Sequence, residues 1–253
     1  MAYLSRDDIE QIADQIIAQY RKAYLPERYM CYCIDTEKLA HLLGYRIQYH
    51  YLSKDGSILG QTASTAVWTT ILNSRMEEVL YLLDGKTILI ERRLLEYPQS
   101  TGRRNFTIAH ELAHQIINRQ YPEIYGPQHR VFCDYRRSSK VHKKVTDWRE
   151  WQADALASAL LLPLDAIKQS MFMCGLGEKM EVLSLKYSQY KYERFCDMAE
   201  YLKVSKTALA FRMEHFGLLD RNRLLIEAAQ RKGAKKYDPN RRNTITRQSR
   251  PSV

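Results

Sequence analysis

Apolar residues recur at the helical period from the start of the chain. Ile9, Ile12, Ala13, Ile16, Ile17 and Tyr20 fall on one face of Arg6–Tyr24. Ser5 precedes them as an N-cap, Asp7 and Asp8 stand in the first turn where the helix dipole favours acids, and Pro26 ends the helix. Asp35–Leu43 repeats the arrangement, with Asp35 as cap, Leu39, Ala40, Leu42 and Leu43 inward, and Gly44 at its end. The period then changes to two. In Arg46–Leu52, Ile47, Tyr49 and Tyr51 alternate with polar residues. Further short strands are predicted over Ile58–Thr65, Val67–Leu72, Val79–Leu82 and Thr87–Glu91, with breaks at Lys54-Asp-Gly56 and Asp84-Gly85. This middle section reads as a small, mainly antiparallel sheet. From Asn105 onward the periodicity is helical again, over about 105–119, 147–162, 164–173, 192–202, 206–215 and 219–231. Helices flanking a cluster of strands specify an α+β fold.

Two stretches break the pattern. Residues 121–146 read as a long connection with Pro122, Gly126, Pro127 and the basic run Arg136–Lys144; connections beyond about 15 residues are uncommon unless functional or mobile. Residues 233–253 have almost nothing apolar to bury and are expected to be disordered on their own. Charge follows the same division. The chain of 253 residues carries a net charge of +10, but residues 221–253 hold ten basic residues and two acidic ones, which leaves only +2 on the rest. The basic tail is suited to weak, sequence-independent contact with nucleic acid, or is simply solvated.

Other classes are disfavoured. Asp7, Asp8, Glu10 and Asp14 are incompatible with the apolar core of a signal peptide. Ala153–Leu164, the most apolar stretch, is far short of the ~20 residues that span a bilayer. Five cysteines (Cys31, Cys33, Cys133, Cys174, Cys196) lack the spacing of a disulfide framework. Cys31 and Cys33 are closer than zinc-binding cysteines usually stand. They read as partly buried thiols, and the expected location is the cytoplasm with no membrane association.

The chemistry concentrates in Thr107-Ile-Ala-His110-Glu111-Leu-Ala-His114. On a helix, His110 and His114 at i and i+4 share a face about a turn apart, and two imidazoles so placed can bind one tetrahedral zinc. Glu111 beside them can take a proton from metal-bound water. Composition alone would give on the order of 0.01 occurrences of His-Glu-x-x-His, so two unrelated surface histidines are a poor alternative. A peptidase site needs a third protein ligand. His129, Asp134, His142 and the acids of the next helix are candidates. In that helix Trp151, Ala155, Ala159 and Leu162 would form the apolar stripe, while Glu150 and Asp154 share a face. Glu150 could bind the metal, with Asp154 holding the free N–H of a ligand histidine. Acids favoured by the dipole of a solvated helix start would look the same. His129, a tyrosine, Arg103 or Arg104 could stabilise an oxyanion.

Arg103-Arg-Asn-Phe-Thr-Ile-Ala-His-Glu-Leu-Ala-His114, followed by Glu150-x-x-Ala-Asp-x-x-Ala-x-x-Leu-Leu-Leu-Pro163, resembles the ImmA/IrrE family of bacterial metallopeptidases. The resemblance extends to Ile34-Asp-x-x-x-Leu-Ala, Gly56-Ser-Ile-Leu-Gly60 and Thr87-Ile-Leu-Ile, covering roughly residues 5–220. It implies a zincin-like fold, with His110, His114 and Glu150 as metal ligands, one zinc ion per chain and Glu111 as catalytic base. It also implies a partner: family members cleave or inactivate helix-turn-helix repressors of mobile elements, or regulate stress-response genes. The long basic connection and the basic tail depart from the family pattern.

Asp197–Leu219 resembles a helix-turn-helix, with Ala199, Leu202, Val204, Ala208, Leu209 and Met213 as a small core and Ser205 capping the second helix. That second helix carries only Lys206 and Arg212 against Glu214, thin for reading a major groove. A subdomain that packs on the catalytic part or shapes its cleft is the better reading. Trp148 and Trp151 read as core. The expected organisation is a metallopeptidase domain over 1–170, a helical subdomain over 171–220 and a tail over 221–253. A peptidase acting on a regulatory protein is thus weighed against a non-proteolytic, metal-containing regulator that binds DNA or sequesters a repressor. Glu111 favours the first, because a structural site has no need of it.

Overall fold

A computed structural model of the chain describes residues 3–25, 32–125, 132–136 and 148–222. The first helix, α1 (Arg6–Tyr24), buries the expected stripe, Ile9, Ile12, Ala13, Ile16, Ile17 and Tyr20. Its N-terminus is closed by a capping box: the Ser5 hydroxyl accepts from Asp8 N–H and the Asp8 carboxylate accepts from Ser5 N–H. In α2 (Thr36–Leu42) the Asp35 carboxylate accepts from the Glu37 and Lys38 amides. Gly44, at φ +84°, then turns the chain into the first strand.

Strands β1 (Arg46–His50), β2 (Ile58–Ala63), β3 (Ala66–Leu72), β4 (Glu78–Asp84) and β5 (Thr87–Glu91) lie where the alternation places them. They do not form one sheet. The main sheet has the order β1-β5-β2-β6, in which β1 and β5 are parallel and the other two pairings antiparallel. Its last strand, β6 (Phe132–Arg136), comes from the segment read as a connection, which also holds a single helical turn, α4 (Pro122–Tyr125). β3 and β4 form a separate hairpin, linked to the segment after β1 by a bridge between Leu72 and Tyr51, and fold over the sheet, where Ile71 and Leu83 cover Leu89 together with Leu52 and Ala63. Ile88 and Ile90, on the other face of β5, join the main core. Burial on both faces explains why all five residues of β5 are buried.

That main core is built around α3 (Thr101–Gln120), in which every residue from Thr107 to Ile117 is buried. The helix lies between the sheet and α5 (Trp148–Leu161). The expected stripe on α5 holds in part: Ala159 and Leu162 are buried, but Trp151 and Ala155 lie at its border. Its buried residues are Gln152, Ala153, Leu156, Ala157, Ala159, Leu160 and Leu161, whereas Trp151 and Ala155 are only partly buried. The physical reason is that α5 is covered on two sides. Ala153, Leu156, Ala159 and Leu160 join α1, α3 and the sheet, while Ala157 and Leu161 join a second core made with the C-terminal elements. Trp148 is not core: its side chain is 50% exposed and meets Tyr3 edge-on at 5.2 Å between ring centres.

The C-terminal elements are α6 (Leu164–Met173), β7 (Met180–Leu183), α7 (Gln189–Tyr201), α8 (Lys206–His215) and β8 (Leu219–Asn222). Gly217, at φ +66°, ends α8, and Leu219 pairs with Met180 in a parallel β7–β8 ribbon. The helix expected from 219 is therefore a strand over 219–222; the rest of that stretch lies outside the described residues. The Ser205 hydroxyl caps α8 by accepting from the Ala208 amide. Ala199, Leu202, Val204, Leu209 and Met213 are buried as expected, with Ala210 rather than Ala208 completing the set. Arg212, one of the two basic residues proposed for a groove-reading helix, is only 6% exposed. Its Nε donates to the Leu162 carbonyl at 3.1 Å and its two terminal nitrogens grip the Glu10 carboxylate, with Nη2 at 2.6 Å from Oε2. It ties α8 to α1 and is committed to that packing. Among the described residues no helix is long and apolar enough to cross a membrane.

Candidate metal centre

α3 carries His110 and His114 one turn apart, and α5 brings Glu150, in its own first turn, across to both. The His110 and His114 Nε2 atoms are 3.0 Å apart. Glu150 Oε2 lies 3.3 Å from His110 Nε2, and Oε1 lies 3.4 Å from His114 Nε2. One donor atom from each of the three residues therefore falls within a span of 4.8 Å. One turn further along α5, Asp154 Oδ1 lies 2.8 Å from His110 Nδ1. The two histidines are buried, but Glu150 and Asp154 are 48% and 52% exposed. The cluster is thus closed by α3 and the sheet and open along α5.

Burial alone would push His110 toward its neutral form, yet the hydrogen bonds to Asp154 and Glu150 prevail and raise its pKa to about 9. His114 is pushed down by burial and by the charge on His110. For Glu150, burial acts upward, but the hydrogen bonds from His110 and His114 hold it well below the usual carboxylate range. The cluster therefore binds positive charge, supplied in the isolated chain by a proton. Because Asp154 accepts from Nδ1–H, an unprotonated His110 keeps its lone pair on Nε2. That lone pair points at His114 Nε2 and the Glu150 carboxylate, so donor atoms of all three residues face one space. Two imidazoles and a carboxylate suit a divalent transition metal, so the donor set fits the group that the motif implies.

Glu111, fully buried, extends from α3 toward the Gly60 backbone of β2. Gln115, one residue beyond His114, donates from Nε2 to the Thr62 hydroxyl and to the Ala63 carbonyl at 2.9 Å, which pins α3 to β2. Sequence reasoning missed Gln115 and Gly60. The available signals were a polar side chain inside an otherwise apolar helix face and a glycine in mid-strand. Of the other candidate ligands, His129 and His142 lie outside the described residues, as does the Asp134 side chain on β6. Arg103 and Arg104 sit nearly two turns before His110, and Arg104 acts electrostatically on Tyr49. Cys33 is half-buried, and Cys31 lies outside the described residues.

A family model described as the IrrE N-terminal-like domain, of peptidase family M78, matches residues 84–214. This is more than half of the chain and includes α3, α5 and the helices through α8. No curated protein matches the chain. With the His-Glu-x-x-His helix and a carboxylate from α5 meeting at one point, and with this match, the chain belongs to the IrrE-like family of metallopeptidases.

Proposed function

We propose that the protein is a zinc endopeptidase with a zincin-like architecture, and that its substrate is a regulatory protein, a helix-turn-helix repressor of a mobile element or stress response, in the cytoplasm. The observation that carries the reading is the convergence of His110, His114 and Glu150 from two helices within 4.8 Å. These three would hold the metal. When bound, zinc supplies Lewis acidity, which makes water a nucleophile near neutral pH and polarises a peptide carbonyl. Asp154 keeps the His110 Nδ1–H engaged and so directs Nε2 to the centre. Glu111 accepts the proton of the attacking water and passes it to the leaving amine. Exposure of the cluster along α5 provides the side from which a polypeptide reaches it.

The test combines elemental analysis with co-expression. Purified protein should contain about one zinc per chain, as expected for three protein ligands with an open position. A neighbouring helix-turn-helix repressor, expressed alongside it, should accumulate as defined fragments. Loss of repressor function with no fragments, from wild-type protein that holds zinc, would make sequestration the better account.

Residues 221–253 are proposed to add weak, sequence-independent contact with nucleic acid, on the strength of their ten basic residues. A chain ending at Gly233 loses six of these ten, and every proposed ligand precedes the cut. Fluorescence anisotropy with duplex DNA between about 50 and 200 mM salt should give a shallower salt slope for the shortened chain. An unchanged slope would mean that the tail does not touch DNA.

A further inference from the structure

Strand β2 contains a bulge: Ile58 pairs with Arg136 and Gly60 with Tyr135, so Leu59 has no residue opposite it. Bulges bend a strand and re-aim the residues beyond them. The first residue beyond this one is Gly60. Its φ is not in the left-handed region, so backbone conformation does not call for glycine. Space does. A Cβ at this position would stand 2.7 Å from Glu111 Oε1, 2.7 Å from Thr107 Cγ2 and 2.9 Å from Glu111 Cγ. Thr107 and Glu111 are one turn apart on α3, on the face that lies along β2. The strand and the helix cannot separate to make room, because Gln115 ties α3 to Thr62 and Ala63 of the same strand and α5 covers the far side of α3. The part that can give way is the Glu111 carboxylate.

We infer that Gly60 is a positioning residue: its bare backbone is the wall against which the Glu111 carboxylate is set. The inference rests on the reading of Glu111 as proton acceptor and adds the element that aims it. Displacing a reacting group by about 1 Å costs on the order of 10²-fold in rate. Gly60→Ala is therefore expected to lower kcat on the cleaved repressor by about that factor, with KM and zinc content close to wild type.

Gly102→Ala is the steric control. Its Cβ would be 2.8 Å from the Ser205 nitrogen and the Val204 carbonyl carbon, as tight a contact but two turns or more from Glu111. It should lower thermal stability and leave kcat unchanged. A second readout uses cobalt in place of zinc: the visible d–d band should move in Gly60→Ala in the same sense as in Glu111→Gln, and stay put in Gly102→Ala. If Gly60→Ala proves unstable, Gly60→Ala with Thr107→Ser removes the Cγ2 contact and leaves only the Glu111 side chain in the way. Recovered stability with a persisting kcat defect supports the inference; recovery of both overturns it. Wild-type kcat and cobalt band in Gly60→Ala, with Glu111→Gln slowed, would overturn this inference alone. A fully active Glu111→Gln protein would remove the reading of Glu111 and this inference with it.

Discussion

Glu111→Gln should slow hydrolysis by about 10²–10⁴-fold while leaving the metal and the fold in place. Glutamine has almost the volume and shape of glutamate, and Glu111 sits in a fully buried position where shape matters. It is not one of the three residues that converge to a metal-binding span. The amide differs in the property that the mechanism uses: it cannot accept a proton from water. General-base catalysis is worth about 10²–10⁴-fold, so the rate of repressor cleavage should drop by that order. Zinc content by elemental analysis and the circular dichroism spectrum should be those of the wild type. If the repressor is still cut at the wild-type rate, Glu111 is not the base.

Glu150→Ala should do the reverse and empty the site. The carboxylate touches both histidines, at 3.3 and 3.4 Å, and its removal leaves two imidazoles to hold a divalent ion. Metal affinity should fall by more than the 10–100-fold typical of an outer partner, and Asp154→Asn, which alters only the group behind His110, should show that smaller loss. Proton competition gives the pH dependence. With the His110 pKa raised to about 9, metal must displace a proton at neutral pH, so affinity weakens as pH falls below about 9. Calorimetric titration with zinc in two buffers of different ionisation enthalpy counts the proton released near pH 7. Full zinc occupancy in Glu150→Ala would remove Glu150 as a ligand, and the absence of proton release would remove the protonated His110.

The sequence was most readable where one face of an element is buried and the other wet. α1 is such a helix, and its stripe, cap and end could all be read from spacing. α5 was not, because a helix packed on two sides has apolar residues nearly all round, and the phase inferred from Trp151 and Ala155 pointed to its border. The same spacing left Glu150 undecided, since an acid in a first turn is equally favoured by the helix dipole. Only the approach of α5 to α3 brings that carboxylate to two imidazoles. β6 was hidden by its brevity and by the basic run beside it. The strand at 219–222 was lost to a helical pattern that pairing with Met180 overrides. The detachment of β3 and β4 from the main sheet had no local signal, because alternation tells which face is buried and not what buries it.

The double burial of α5 also orders events in time. As the chain emerges during synthesis, α3 and the sheet are complete well before α6 to α8, and α5 then has a partner for only one of its sides. Ala157, Leu161 and Leu162 face water until Phe195, Met198, Leu209 and Met213 arrive to cover them. Arg212 reaches Glu10 across a separation of 202 residues, so this closure waits for α8. Glu150 and Asp154 ride on a helix whose second side is covered only at that stage. A nascent chain would therefore hold its histidines in place without a firm third arm, and hydrolytic competence would be withheld until α8 has been made.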